Sequence, residues 1–448
     1  MRQPGPGSKP SGEGRSRGPA RLPTARELAA RVLERVARDG AYASVALDAE
    51  LGRYPQLDGR ERALATELAY GCLRTGVALD ARLLALAPKG IAGGDERVRI
   101  ALRVAAYQLL FLDRVPPHAA VNAAVGAVRA LRGKRVAGFA NAVLRRLAEQ
   151  RGQLEFAGAV LETVPEWLRD GLTEDIGRDE ARALVGAVDR ASPPLAIRFV
   201  RGRELPAWAL QAPCGRACSR ARLISGLGDP RDLLGWDTGD FVVQEEGAQV
   251  IALALGARPG ERVLDACSGR GQKTSLLREQ LGADAELWAT DLYPTKLDAL
   301  AREFERLHLA APTMRAVDWT VGHADVPDHF DRVLVDAPCT GVGTLRRRPE
   351  ILGRLAPRDP ERLAELSERI LRRAASRARV GGRVVFSVCS VLEPECEAVV
   401  TRVGDLLEPV PFDAPGLAAL APAPAHHLRL LPGRHGTDGY FVASFRRR

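Results

Sequence analysis

The sequence predicts a three-domain protein, with an all-helical N-terminal domain, a small α+β connecting domain and a C-terminal α/β domain built on a parallel sheet. The first observation is length, because 448 residues are enough for about three domains. The second is a helical spacing of apolar residues through 23–150. The third is an alternation of apolar strands and helices after about residue 240, typical of a parallel sheet. The predicted divisions are 1–22, 23–150, 151–230 and 231–448.

The helical domain follows a tail, residues 1–22, that is rich in Gly, Pro, Ser and Arg and is predicted to be disordered. Thr24 and Glu27 form a capping-box pattern at the start of the first helix. Apolar residues follow at helical spacing, and Gly40 is expected to end that helix. Similar patterns predict helices over 58–73 and 95–112, from 117 onward and around 139–147.

The connecting region, 151–230, gives the weakest pattern and predicts only a small mixed domain. Cys214 and Cys218 are spaced like metal ligands. No second cysteine pair or histidine accompanies them, so we predict ordinary loop cysteines and no metal site.

In the C-terminal domain, five apolar runs predict strands that end in an aspartate or a cysteine. The runs are 262–267, 286–291, 313–318, 331–336 and 382–389. A glycine-containing turn and a helix follow the first run, Pro294 begins the helix after the second, and a helix over 358–379 precedes the last. The run 440–445 predicts an antiparallel strand at the end of the sheet.

The composition favours a nucleic-acid partner in a reducing compartment. The net charge of +9 suits a phosphate-rich partner, although an arginine-rich composition also arises in a GC-rich genome. The seven cysteines are widely spaced and odd in number, which argues against a disulfide framework and predicts a cytoplasmic protein. No apolar run approaches the ~18 residues that a membrane span needs.

Four aspartates close successive predicted strands: Asp265, Asp291, Asp318 and Asp336. Any one of them alone is best explained as a helix cap or turn residue. Together they favour a cofactor site, because open α/β sheets bind ligands at the carboxyl ends of their strands. The turn with Gly269 and Gly271 lacks a phosphate-loop motif. Carboxylates without a phosphate-binding loop fit a nucleoside cofactor with a positive sulfonium, and S-adenosylmethionine is the predicted cofactor.

Two cysteines also follow predicted strands at the same edge. Cys389 ends the run 382–389, and Cys339 comes three residues after Asp336. Free cysteine is among the most buried residue types, so each alone could be a structural thiol. Two cysteines together beside a cofactor site favour a catalytic role.

The motifs in these segments resemble known families. Asp265-Ala266-Cys267-Ser268-Gly269-Arg270-Gly271-Gln272-Lys273-Thr274 is similar to the Cys-Ala-Ala-Pro-Gly-Gly-Lys-Thr cofactor motif of RNA cytosine-5 methyltransferases. Asp336-Ala337-Pro338-Cys339 and Ser387-Val388-Cys389-Ser390 resemble that family's two cysteine motifs. Segments 68–74, 107–110, 117–122 and 139–146 resemble the NusB-like RNA-binding domain of the Sun-type (RsmB-like) ribosomal RNA methyltransferases, and 164–168 and 193–198 resemble their connecting domain.

The resemblance implies a Rossmann-like methyltransferase domain and gives roles to its residues. Cys389 would be the nucleophile, and Cys339 would assist release of the product. Asp336 would contact the target base and the cofactor, and Lys273 would position the base. The implied cofactor-binding residues are Asp265, Cys267, Ser268, Gly269, Arg270, Gly271, Gln272, Lys273, Asp291, Asp318 and Asp336. Of these, Arg270 and Gln272 depart from the family motif, where proline and glycine stand.

The implied reaction is methyl transfer from S-adenosylmethionine to carbon 5 of a cytidine in small-subunit (16S) ribosomal RNA, through a covalent cysteine–cytosine adduct. The cytidine is expected to be single-stranded or flipped out, and the protein is expected to be a monomer. The loop 344–350, with Arg346, Arg347 and Arg348, is predicted to hold the RNA backbone. Two alternatives are an RNA-binding factor with a degenerate methyltransferase domain and a DNA cytosine-5 methyltransferase in which Cys339 attacks.

Overall fold

The computed structural model describes residues 21–88, 94–188, 193–226, 228–322, 325–414, 416–417, 420 and 426–448. The predicted disordered tail therefore lies almost wholly outside the described residues.

The helical domain forms as predicted, with two further helices. Its elements are α1 (Ala25–Asp39), α2 (Ala43–Gly52), α3 (Gly59–Arg74), α4 (Gly76–Leu86), α5 (Glu96–Phe111) and α6 (Pro117–Ala148). Both hydrogen bonds of the capping box between Thr24 and Glu27 are present, and Gly40 ends α1 with a φ of 61°. Sequence periodicity missed α2 because its apolar residues are spread around the helix. The two helices predicted from 117 and around 139 form one kinked element, since Gly133 leaves helical geometry.

The core of this domain depends on a close approach between α3 and α5. A Cβ at Gly71 would lie 2.1 Å from Cζ of Tyr107, so only glycine lets α3 pack against that ring. Tyr107 is fully buried, and its hydroxyl donates to Glu67 at 2.5 Å.

The connecting region contains helices and a small antiparallel sheet. The helices are α7 (Phe156–Thr163), α8 (Glu166–Ile176), α9 (Arg178–Leu184) and α10 (Ala207–Leu210), and the strands are β1 (Leu195–Phe199), β2 (Ala221–Ile224) and β3 (Phe241–Val243), in the order β2-β1-β3. The third strand lies beyond the predicted limit at residue 230, so this unit extends further along the chain.

A buried arginine joins the small sheet to the catalytic domain. Arg198 of β1 is fully buried and forms an ion pair with Glu279. It also donates to Ser275 Oγ and to Gln244 Oε1, each at 2.8 Å. A buried charge is tolerated only when it is paired and hydrogen-bonded in this way.

The C-terminal domain is an eight-stranded mixed sheet within the described residues. Its strands are β4 (Val263–Asp265), β5 (Leu287–Asp291), β6 (Thr313–Ala316), β7 (Phe330–Asp336), β8 (Ala378–Val388), β9 (Leu407–Pro409), β10 (His427–Leu430) and β11 (Tyr440–Arg447). Its helices are α11 (Glu246–Ala254), α12 (Gln272–Leu281), α13 (Pro294–Arg306), α14 (Asp359–Ala375), α15 (Glu397–Arg402) and α16 (Pro432–His435). The order is β10-β11-β8-β7-β4-β5-β6, with β9 beside β11.

The strand order places a ligand crevice at the ends of β4 and β7. From β4 the chain proceeds to β5 and β6 on one side, and then crosses to β7 and β8 on the other, all in parallel pairs. Such a reversal opens a crevice at the carboxyl ends of the strands. The sheet thus positions the aspartates and cysteines that the sequence singled out.

Several predicted boundaries differ from those in the structure. The strand predicted over 313–318 ends at Ala316, because Asp318 instead forms a turn with Thr320. The helix predicted over 358–379 ends at Ala375, and β8 begins at Ala378. Gly381, with a φ of 78°, lies inside β8 near an irregularity in its pairing with β7, so the strand begins before the predicted residue 382.

In the part of the chain that the structure describes, no helix is both long and apolar enough to cross a membrane. The same residues contain no cluster of three or more His, Cys, Asp or Glu side chains arranged to hold a metal ion. Cys218 is buried, whereas Cys214 is exposed.

Candidate active site

The two predicted catalytic cysteines meet at the carboxyl ends of adjacent strands. Asp336 of β7 pairs in register with Ser387 of β8, so the residues that follow these strands leave the sheet side by side. The sulfur atoms of Cys339 and Cys389 lie 3.3 Å apart, within hydrogen-bonding distance. Both side chains are partly exposed.

The surroundings of the two thiols differ in charge. The hydrogen bond from Cys339 lowers the pKa of Cys389, and the positive charges of Arg348 and Lys273 act in the same direction. That hydrogen bond, burial and the charge of Glu395 all raise the pKa of Cys339. The arrangement therefore favours a thiolate at Cys389 and a neutral thiol at Cys339.

An ion pair lies beside the thiols. Lys273 Nζ is 2.6 Å from Asp336 Oδ2, and the hydroxyl of Ser387 donates to Asp336 Oδ1 at 2.7 Å. Burial opposes the charge on Lys273, but the adjacent Asp336 carboxylate prevails and raises the pKa of that amine. Lys273 therefore stays cationic, which offsets the repulsion that Asp336 exerts on a Cys389 thiolate.

A buried glutamate ties together the two segments that carry the cysteines. Glu395 accepts hydrogen bonds from the Thr340 amide at 2.7 Å, the Thr340 hydroxyl at 2.6 Å and the Ser390 hydroxyl at 2.5 Å. Thr340 follows Cys339, and Ser390 follows Cys389. Glu395 is fully buried, and burial raises its pKa. Sequence reasoning missed this residue, whose only signal was the acidic start of the segment after Cys389.

Beside the cysteines, two adjoining pockets of about 360 Å³ and about 140 Å³ form a candidate cofactor site. Cys267, Gly269 and Asp336 line both pockets. Of the remaining predicted residues, Asp291 and Asp318 line the larger pocket, and Asp265, Ser268, Arg270, Gln272 and Lys273 line the smaller one. The structure thus brings together ten of the eleven predicted cofactor residues, leaving out Gly271.

Gly271 instead permits the turn that forms the pockets. It begins α12 with a φ of 84°, and a Cβ there would lie 2.5 Å from Cγ of Leu300. Both the left-handed backbone and the contact with α13 require glycine.

Asp265 is the least solvated of the four predicted aspartates. Its Oδ2 accepts a hydrogen bond from the Thr274 hydroxyl at 2.8 Å, whereas its buried Oδ1 has no hydrogen-bond partner among the described residues. Burial raises the pKa of Asp265 to about 7. An unpaired carboxylate oxygen beside the smaller pocket fits a cationic ligand, because a positive charge would stabilise the ionised form.

Two more acids line the larger pocket: Asp291, which is buried, and Asp318, which is partly exposed. Asp291 accepts hydrogen bonds from the amides of Gly269 at 3.1 Å and Tyr293 at 3.0 Å, and it pairs with Lys296 at 3.3 Å. The Thr320 hydroxyl and amide donate to Asp318 and lower its pKa.

Apolar residues that sequence reasoning missed line the rest of the larger pocket: Leu292, Tyr293, Val317, Trp319, Pro338, Leu366 and Ile370. Trp319 is buried, and its indole donates to Ala266 O at 2.9 Å. The first four directly follow or flank predicted strand-end acids, and this position was the signal that could have found them.

The two departures from the motif have different positions. Arg270 is exposed at the edge of the smaller pocket. Gln272 donates from its amide to Val243 O at 2.7 Å, which ties the start of α12 to β3. Gln272 therefore has a structural partner where the family motif has glycine.

The arginine loop differs from the prediction. Arg346 and Arg347 both bond the buried carboxylate of Asp438, at 2.5 Å and 2.9 Å. Arg348 is exposed and forms no ion pair with a described carboxylate. Of the three arginines, only Arg348 therefore forms no ion pair with a carboxylate in the part of the chain that the structure describes.

The comparisons with known proteins agree with this geometry. Residues 252–446 match the family model described as 16S rRNA methyltransferase RsmB/F, and residues 23–149 match the NusB family. A Thermus thermophilus protein named ribosomal RNA small subunit methyltransferase B is 34% identical over 436 residues, covering 95% of this chain and 98% of its own. A Mycobacterium tuberculosis protein whose name says only that it is a methyltransferase is 36% identical over 467 residues, covering 97% of this chain and 99% of its own.

The crystal structure of PH0851 has the same fold, with a TM-score of 0.80 at 20% identity over 95% of this chain and 99% of that one. These matches confirm the predicted architecture, a NusB-like helical domain followed by a Rossmann-like methyltransferase domain, and S-adenosylmethionine as the cofactor. The chain belongs to the RsmB/F family of 16S ribosomal RNA methyltransferases.

Proposed function

We propose that this enzyme methylates carbon 5 of a cytidine in 16S ribosomal RNA through a covalent adduct with Cys389. The observation that carries the proposal is the 3.3 Å contact between two partly exposed thiols beside the cofactor pockets. Carbon 5 of cytosine is a weak nucleophile, and a thiolate added at carbon 6 makes it enamine-like. One thiolate and one neighbouring thiol are the groups that such a reaction needs.

The charges around the cysteines support a division of labour. Cys389, whose pKa is lowered, attacks carbon 6, and the displaced electron pair makes carbon 5 nucleophilic. S-adenosylmethionine supplies the methyl group. The Cys339 thiol loses its proton to solvent, and the resulting thiolate takes the proton from carbon 5. The bond between carbon 6 and the Cys389 sulfur then breaks, and that sulfur leaves as a thiolate. The Lys273–Asp336 ion pair would contact the base.

The residues around the two pockets would hold the cofactor. Asp291, at the end of β5, would accept hydrogen bonds from the ribose hydroxyls. Asp318 and the apolar wall around Trp319 would meet the adenine. Asp265 would face a positive group of the cofactor, because its Oδ1 otherwise lacks a partner.

The division of labour is tested with RNA that carries 5-fluorocytidine, which traps the adduct because fluorine cannot be removed as a proton. We expect Cys389→Ala to abolish both methyl transfer and trapping. Cys339→Ala should instead accumulate a covalent complex on ordinary RNA, since release is blocked. Cys214→Ala, an exposed cysteine outside the pockets, is the matched control and should behave as wild type.

An adduct that persists in Cys389→Ala and disappears in Cys339→Ala would refute the proposal and favour the attack by Cys339 that DNA cytosine-5 methyltransferases use. Absence of S-adenosylmethionine binding at millimolar concentration would favour the RNA-binding factor instead. Bisulfite sequencing of ribosomal RNA with and without the gene would identify the modified cytidine.

A further inference from the structure

An exposed aromatic ring of the helical domain lies close to two arginines of the catalytic domain. Tyr42, just before α2, is 49% exposed. The guanidinium carbons of Arg348 and Arg354 lie 5.6 Å and 5.0 Å from the centroid of its ring. We call these three residues the junction cluster. Arginine beside an open aromatic ring is the combination that binds single-stranded nucleic acid.

The junction cluster is held in place by backbone contacts between the domains. Arg354 donates to the carbonyl of Ala41, and the Ala43 amide donates to Glu350 Oε1 at 3.1 Å. Glu350 is 3% exposed, so this contact is buried. Tyr42 is thereby fixed on both sides along the chain, which reduces the entropy lost when a ligand binds.

The same loop connects the junction cluster to the nucleophile. The Gly343 amide donates to the carbonyl of Cys389 at 3.0 Å, and the Arg348 amide donates to Thr344 O at 2.8 Å. The charge of Arg348 also acts to lower the pKa of Cys389. Arg348 therefore lies on the loop whose Gly343 contacts the backbone of Cys389.

The two arginines of the junction cluster lie near Glu350 and act to lower its pKa, but neither forms an ion pair with it. Neither Arg348 nor Arg354 forms an ion pair with a carboxylate among the residues that the structure describes, whereas Arg346 and Arg347 share Asp438. An unpaired guanidinium binds phosphate by charge-assisted hydrogen bonds.

We propose that the junction cluster binds the single-stranded RNA that flanks the target cytidine, with a base against Tyr42 and phosphates on Arg348 and Arg354. This inference rests on the proposed function. It gives the helical domain a direct part in binding the substrate at the catalytic pocket. Because stacking on a tyrosine ring tolerates any base, the site would hold the strand without reading its sequence.

The test compares Tyr42→Ala, Tyr42→Phe and Arg348→Gln with the control Arg258→Ala. Arg258 is exposed and pairs with Asp413. It precedes β4 and so lies toward the amino ends of the parallel strands, away from the cysteines. Methylation of protein-free small-subunit ribosomal RNA gives KM and kcat, and anisotropy with a single-stranded oligonucleotide gives binding at several salt concentrations. Calorimetry with S-adenosylmethionine checks that each variant is folded.

We expect Tyr42→Ala to raise the KM for RNA about tenfold, with kcat and cofactor affinity unchanged, and Tyr42→Phe to match wild type. Arg348→Gln should reduce the slope of log K against log salt by about 0.7, the value for one phosphate of a single strand. Arg258→Ala should change neither quantity.

An unchanged KM in Tyr42→Ala together with an unchanged salt slope in Arg348→Gln would overturn the inference. The inference would also be overturned if Tyr42→Ala lost as much affinity for the cofactor as for RNA. That result would mean that Tyr42 only helps the two domains to pack together. If wild type itself fails to methylate the RNA, the proposed function fails, and this outcome is distinct because oligonucleotide binding would still depend on Tyr42.

Discussion

Asp265→Asn should remove most of the pH dependence of cofactor binding near neutrality. The pKa of Asp265 is raised to about 7 because the side chain is buried and the negative charge of Asp336 lies nearby. S-adenosylmethionine carries positive charge, so binding favours the carboxylate and releases the proton. Affinity should therefore rise with pH through the pKa of the free enzyme.

The magnitude follows from that pKa. With a value of about 7, Asp265 is roughly 90% protonated at pH 6 and roughly 10% at pH 8. If Asp265 is fully ionised in the complex, the affinity for S-adenosylmethionine at pH 6 is about tenfold below that at pH 8. Binding should release about 0.9 proton at pH 6 and about 0.1 proton at pH 8.

Isothermal titration calorimetry in two buffers of different ionisation enthalpy measures both the affinity and the released proton. The α-amino group of the cofactor also titrates near pH 8, but this contribution is the same in Asp265→Asn and cancels in the comparison. Equal proton release by wild type and Asp265→Asn at pH 6 would refute the reasoning.

The same pKa predicts an effect on the free protein. Because the folded state binds the Asp265 proton more tightly than the unfolded state does, its contribution to stability is complete below about pH 4 and is lost as the pH rises to 7. Three pKa units correspond to about 4 kcal/mol. Urea unfolding should show a steeper decline between pH 4 and 7 in wild type than in Asp265→Asn.

Two further predictions concern packing at the site. Glu395→Ala removes the acceptor of three buried donors on Thr340 and Ser390, so it should lower the free energy of unfolding, measured with denaturant, by about 3 kcal/mol and slow single-turnover methyl transfer. Glu395→Gln should retain most of the stability and most of the rate. Equal losses in the two variants would contradict this role. Gly271→Ala combines a left-handed backbone with a 2.5 Å approach to Leu300 and should lose about 2–4 kcal/mol by the same measurement. In the control Gly269→Ala, the new Cβ would meet open space, so the free energy of unfolding should fall by only about 1 kcal/mol. Equal destabilisation of the two variants would show that the contact with Leu300 does not cause the loss in Gly271→Ala.

The amino-acid sequence determined the fold class and the location of the site. Apolar runs that end in aspartate or cysteine predicted strands whose carboxyl ends meet at one edge, and Cys339 and Cys389 do meet there. This worked because a parallel sheet forces the ends of its strands together, whatever lies between them in the chain. The predicted aspartates line the pockets for the same reason.

The chemical state of these groups was decided by tertiary structure. The raised pKa of Asp265 comes from burial, which depends on packing around the side chain from every direction. Glu395 joins the two cysteine segments through hydrogen bonds that no spacing in the sequence indicates. Gly271 was predicted to touch the cofactor, whereas the structure gives it a packing role against Leu300.

The arginine loop shows the same division between sequence and structure. In the sequence, Arg346, Arg347 and Arg348 form one basic run. Folding places Asp438 beside the first two and Tyr42 beside the third. Local pattern fixes which elements form and which edge of the sheet carries the site. The partner of each charge comes from distant parts of the chain, and only the packed molecule determines it, because electrostatic and hydrogen-bond energies depend on distance in space.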